Sequence, residues 1–263
     1  MKKVITKTTW GQTPALPTLR ITTLFPHLGS DPRGTRMVIL SVVLAMFSLT
    51  AYAQEPSISG PLSEPLSKSV PISMTSDLLS LQQKWAIVNY QTDKEAKGDA
   101  FEGLLVKVDE LALKYPKAAE PKVWQGIVRS TYAGHVGGLS ALSYVKDARK
   151  YLLSAKKLDD TVLGGSVYTS LGTLYAKVPG WPIAFGDDDK ARELLSKAVE
   201  LNPSGMDPNY FYADFLYEEG EYKKALNHLN LALNAPKRES RALADSRRLE
   251  EAERLMKKIK AEI

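Results

Sequence analysis

The chain has no cysteine in its 263 residues. That excludes disulfides, thiolate metal sites and cysteine nucleophiles, and with them a lipid anchor on an N-terminal cysteine. Histidine is nearly as scarce, with three in all. His27 lies in the N-terminal stretch, His135 follows a predicted helix inside the glycine-rich AGHVGGLS, and His228 sits between apolar-face residues of another helix, as a structural histidine would. No serine or acid is spaced to complete a nucleophile triad or a metalloprotease helix, and no glycine-rich phosphate loop occurs. The sequence therefore reads as a non-enzyme, with no cofactor and no metal expected.

Runs that alternate with period two are also few, so almost no strand is expected. Long apolar runs are limited to Met37–Leu49, MVILSVVLAMFSL, which Arg33 and Arg36 precede and Ala51-Tyr52-Ala53 follows. This is the layout of a cleaved secretory signal. It is too short to span a bilayer comfortably, since a spanning helix needs roughly 20 apolar residues. Residues 1–53 are expected to be a leader and 54–75, rich in Pro and Ser, a flexible linker. No stable membrane insertion is expected after cleavage, and the expected compartment is the periplasm.

The net charge of +5 disappears with that leader, which holds six basic residues and one acid; the remainder carries 29 of each sign. Clustered positive charge, the footprint of non-specific nucleic-acid binding, is not implied, and no nucleic-acid partner is expected.

What the sequence does contain is a repeat. In Asp207–Pro236, Gly220 marks a reversal between two helices, and Ala225, Leu229 and Ala232 recur on one face at spacings of four and three. Upstream, Tyr168, Leu171, Gly172 and Tyr175 occupy first-helix positions, while Ala191, Leu195, Ala198 and Pro203 occupy second-helix positions. Ala191 and Ala225 are 34 residues apart, the tetratricopeptide period. Ala148, Leu152 and Ala155 repeat the triplet once more, but 43 residues separate Ala148 from Ala191, so about nine residues are inserted. The predicted fold is all-α, a tetratricopeptide-type α-solenoid of about four helical hairpins over 76–236, starting near Ser76, with a capping helix over 237–263. That last helix mixes Lys237, Arg238, Arg241, Arg247 and Arg248 with Glu250, Glu251 and Glu253. It reads as a polar cap on the final repeat in preference to a site for an acidic ligand.

The insertion, VPGWPIAFGDDDKA from Val178 to Ala191, places Trp181, Ile183 and Phe185 on a segment where polar residues are usual. Either they pack over the repeat or they form a ligand or partner surface. Asp187, Asp188 and Asp189 lack the spacing of a calcium loop and read as the start of a helix. Candidate partner-binding residues are Tyr168, Tyr175, Asn209, Tyr210 and Tyr217, since aromatic and amide side chains on first helices give large contact areas. The alternative is a carrier of a hydrophobic small molecule, with a pocket of Trp181, Ile183 and Phe185.

Three segments, LYAKVPGWPIAFGDDDKA, LNPSGMDPNYFYADFL and APKRESRALAD, together resemble the tetratricopeptide component associated with TRAP transporters. The resemblance covers the C-terminal half clearly and the upstream helices loosely. It implies an all-helical periplasmic scaffold that binds a protein partner, typically the transporter's solute-binding protein, and that can form a homo-oligomer with a ligand-accessible channel. The chain departs from that group in lacking the anchoring cysteine and in having only about four hairpins.

Overall fold

The computed structural model describes residues 72–263. The expected leader, and the expected linker as far as Pro71, lie outside the described residues. Nine α-helices follow one another among them: α1 (Ile72–Tyr90), α2 (Lys94–Lys114), α3 (Glu120–Val136), α4 (Ala141–Leu158), α5 (Val162–Lys177), α6 (Asp188–Leu201), α7 (Met206–Glu218), α8 (Tyr222–Leu233) and α9 (Ala242–Glu262). A short 3-10 turn, Glu239–Arg241, leads into α9. The first eight pack as four consecutive hairpins, α1/α2, α3/α4, α5/α6 and α7/α8, each stacked on the next. This is the tetratricopeptide-type solenoid that the 34-residue period predicts.

The small and large residues of the repeat explain why the hairpins close. All nine members of the three second-helix triplets, Ala148/Leu152/Ala155, Ala191/Leu195/Ala198 and Ala225/Leu229/Ala232, are fully buried. Leu152 and Leu195 press against the first helix of their pairs, and burying such a side chain stabilises by roughly 1.5–3 kcal/mol. At Gly172 a Cβ would stand 2.7 Å from Leu195 Cγ, and at Gly126 it would stand 2.4 Å from Leu152 Cγ. The missing side chain is what lets α5 approach α6, and α3 approach α4.

Boundaries differ from expectation in two places. Helix α1 already begins at Ile72, ahead of Ser76. Helix α3 runs on to Val136, so His135 belongs to its last turn, stacked 6.2 Å from the Tyr132 ring, and not to the glycine loop. The single β-bridge among the described residues joins Gly180 to Gly186.

The C-terminal helix caps the last hairpin as expected and also reaches beyond it. Besides α7 and α8, α9 packs on α1, and the 3-10 turn before it also rests on α1. Gln83 Nε2 of α1 donates to Ser240 O at 3.3 Å. At 1.5 Å per residue the 21 residues of α9 span about 31 Å, enough to reach from the last hairpin to the first. The helix therefore ties the two ends of the stack together, a role wider than shielding the final repeat.

Candidate functional site

Two regions separate from the repeating scaffold: the loop between α5 and α6, and the polar interior beneath α9. The loop is stitched at its base. Gly186 N donates to Pro179 O at 2.9 Å, Asp187 N to Tyr175 O at 3.0 Å, and Ile183 N and Ala184 N both to Gly180 O. A Cβ on Gly186 would lie 1.8 Å from Val178 O, so the two limbs of the loop touch backbone to backbone. Asp187 caps α6 as expected, accepting from Lys190 N at 2.9 Å. Asp188 and Asp189 form its first turn, where the unpaired amides favour acids.

The three apolar loop residues part company. Phe185 turns inward, 5.4 Å from the Tyr175 ring. The Arg149 guanidinium covers both rings, at 4.8 Å and 5.2 Å, and its Nε donates to Tyr175 Oη at 2.9 Å. Trp181, by contrast, is 90% exposed and Ile183 is 54% exposed. Two clefts open on the surface of the described residues, one of about 240 Å³ between α1 and α2 and one of about 500 Å³ along α4. Trp181, Ile183 and Phe185 line neither.

The expected partner-binding residues also divide. Tyr168 is buried and donates to Asp160 Oδ2 at 2.7 Å; burial, with Asp160 adding to it, pushes its phenol up to about 12. Asn209 is fully buried. Its Nδ2 donates to Pro203 O and Gly205 O, which turns Oδ1 toward His228 Nδ1 at 3.0 Å. With the amide so fixed, Nδ1 of His228 carries the proton and donates, and Asn209 pins α8 to the start of α7. Tyr210 is buried under Arg248, whose guanidinium lies 4.5 Å from its ring centre. These three residues hold the fold and offer a partner little surface. Tyr175 and Tyr217 keep partial exposure; Tyr217 stands 5.7 Å from Tyr222.

Beneath α9 lies a charge network that the sequence reading placed in solvent. Asp207, fully buried at the start of α7, accepts from Arg248 Nε at 3.1 Å and from Arg238 Nη1 at 3.0 Å. Arg238 also binds Asp245 through its backbone N–H at 2.9 Å and through Nη2 at 2.5 Å, while Arg248 Nη1 donates to Glu251. Burial works against the charge of Arg248, but Glu251, Tyr90 and Asp207 more than offset it, so its guanidinium stays firmly protonated. Arg241, Asp245, Arg248 and Glu251 are each less than 7% exposed. Part of that charged set is thus interior, because Arg238, Asp245, Arg248 and Glu251 meet one another and Asp207 there, while Lys237, Arg247, Glu250 and Glu253 keep contact with solvent.

On α5, Ser166, Thr169, Ser170 and Thr173 form a second buried polar stripe. The first three hydroxyls have no hydrogen-bond partner. Spacings of three and four put them on one face, the only signal by which sequence could have found them. Among the described residues no group of three or more His, Asp or Glu is placed to hold a metal ion, and no helix is long and apolar enough to cross a membrane.

Comparison with known proteins agrees with the repeat reading in the region of the loop. The family model described as tetratricopeptide repeat matches residues 183–244, from the loop through α8 to the start of α9. A solved structure from a functional characterization of pilF of Pseudomonas aeruginosa is similar to this chain at 17% identity, covering 71% of this chain and 90% of that one, with a TM-score of 0.29. No curated protein matches the chain. Repeat stacks of this type generally act as protein-interaction scaffolds and are typically non-enzymatic.

Proposed function

We propose that this protein is an exported tetratricopeptide scaffold of the periplasm that docks a protein partner through the α5–α6 loop, with the solute-binding protein of a TRAP-type transporter as the partner its sequence resemblance implies. The observation that carries this reading is Trp181, 90% exposed on a loop held by four backbone hydrogen bonds, two across its base and two within its turn. Tryptophan is enriched among residues that dominate binding energy, and a side chain held out on a fixed loop loses little freedom when a partner covers it. Ile183 beside it widens the apolar tip. Asn209 is covered within the last hairpin and Tyr210 by Arg248 of α9, so recognition moves from the first-helix residues to the loop, with Tyr175 beneath it through Phe185.

The test is a crosslinked pull-down with the wild-type chain and a Trp181→Ala/Ile183→Ala double variant from a periplasmic extract of the host. A solute-binding protein captured by the wild type and lost with the double variant, at unchanged melting temperature, supports the reading. Equal capture by both removes the loop from it. Fractionation of the host with an antibody to the chain checks the compartment, and a cytoplasmic signal overturns the export reading.

A further inference from the structure

The charges under α9 do not all find partners. Asp207 uses both oxygens on Arg238 and Arg248, Asp245 takes Arg238, and Glu251 takes Arg248. Arg241, on the turn that leads into α9, is left over. It is only 5% exposed, and neither Nη1 nor Nη2 has a hydrogen-bond partner. Its guanidinium lies 5.4 Å from the ring centre of Trp124 on α3. Trp124 is 1% exposed, and its indole Nε1 likewise has no partner.

These groups share a chemistry. A guanidinium and an indole N–H donate hydrogen bonds and accept none. Three buried donor nitrogens, on neighbouring side chains of α3 and the turn, therefore stand without a hydrogen-bond partner. Buried polar groups are nearly always satisfied, and a buried charge without a partner is among the costliest features a fold can carry. Burial, reinforced by the positive charge of Arg238, draws the Arg241 guanidinium down to about 9, and Asp207 and Asp245 only partly offset this. What would relieve all three donors together is a group that only accepts.

We propose that Arg241 and Trp124 form a binding site for a small oxyanion, held by the paired Nη1 and Nη2 of Arg241 and by the indole N–H of Trp124. The parallel donors of a guanidinium match the two oxygens of a carboxylate or two oxygens of a phosphate. The face of Trp124 orients the guanidinium, and the site ties the turn before α9 to α3. Its occupant would stabilise the closure of the solenoid by α9, because an anion that binds only the folded chain raises its stability in proportion to the logarithm of its concentration.

The test uses the full chain exchanged into sodium chloride. Melting is followed in sodium acetate and in sodium phosphate against chloride at constant ionic strength, and binding is followed by calorimetry. Acetate or phosphate should raise the midpoint saturably above chloride, and the preferred one identifies the class of oxyanion. Arg241→Met keeps an apolar stem against Trp124 and removes the charge. It should abolish the anion-dependent rise while melting no lower than the wild type in chloride. Trp124→Phe keeps an aromatic face and removes one donor, and should weaken binding about tenfold. Equal midpoints in all three salts overturn the proposal, as does an anion-dependent rise that persists unchanged in Arg241→Met. Should Arg241→Met fail to fold, unchanged calorimetric affinity in Trp124→Phe overturns it instead.

Discussion

Arg248 of α9 donates from Nε to Oδ1 of Asp207 at 3.1 Å, joining two residues 41 apart in sequence, neither more than 2% exposed. Asp207 accepts from Arg238 as well, so one carboxylate holds two guanidinium groups out of water. Asp207→Ala would leave both without it. Removal of one partner from a buried ion pair destabilises by roughly 3–5 kcal/mol. Urea denaturation of Asp207→Ala should show a loss of that size, with early proteolytic cleavage near Lys237 and Arg238 as α9 detaches. A loss below about 1 kcal/mol, the range of exposed pairs, would mean that the network is solvated in solution.

The contrast between that network and the repeats shows what was legible in the chain. The triplets Ala191/Leu195/Ala198 and Ala225/Leu229/Ala232 were readable because a small residue at a helix crossing is a local requirement, repeated at a fixed period. Arg248 and Glu251 were not. Charged side chains lie outside in most proteins, and only the arrival of Asp207 from another helix reverses that rule here. Trp181 and Phe185 pose the same difficulty on a smaller scale. Both are large and apolar on one inserted loop, and it is the Tyr175 and Arg149 surface that takes Phe185 in and leaves Trp181 out.

Close approach of α5 and α6 gives a second prediction. Gly172→Ala places a Cβ 2.7 Å from Leu195 Cγ and 3.1 Å from Leu195 N, so the helices must separate or the leucine must leave its rotamer. Overpacking of this kind costs about 1–3 kcal/mol. Thermal melting should show the loss, and pairing the change with Leu195→Ala should produce less than the sum of the two single effects. Strict additivity would place the two residues out of contact.

The loop supplies a third. Gly186→Ala sets a Cβ 1.8 Å from a backbone carbonyl, that of Val178, which has no rotamer to change. The limbs of the loop must open, and Trp181 loses its fixed position. Hydrogen exchange should rise at the amides of Gly186 and Asp187 while the buried triplets of α6 and α8 keep their protection. Unaltered exchange at those two amides would show that the loop is held by Phe185 and not by its backbone stitches.

His228 adds a dependence on pH. Burial lowers its pKa from the ordinary value of 6.5, so the folded chain binds this proton less readily than the unfolded chain. Stability from this residue is therefore complete above about 6.5 and is lost as pH falls from there toward the lower folded value, since the unfolded state is protonated first. Asp77 and Glu221, whose carboxyls are lowered chiefly by Lys114 and by Lys224, weaken the fold only in more acidic solution. Buried Glu251, with its carboxyl raised, acts in the opposite sense. The isolating measurement is the difference in urea midpoint between wild type and His228→Gln from pH 8 to pH 5. Wild type should lead at pH 8, where Nδ1–H holds Asn209, and the lead should shrink below about 6.5 as the cost of keeping His228 neutral grows. A lead that stays constant across the range would mean that His228 titrates alike in the folded and unfolded chains, and that its hydrogen bond to Asn209 alone accounts for its contribution.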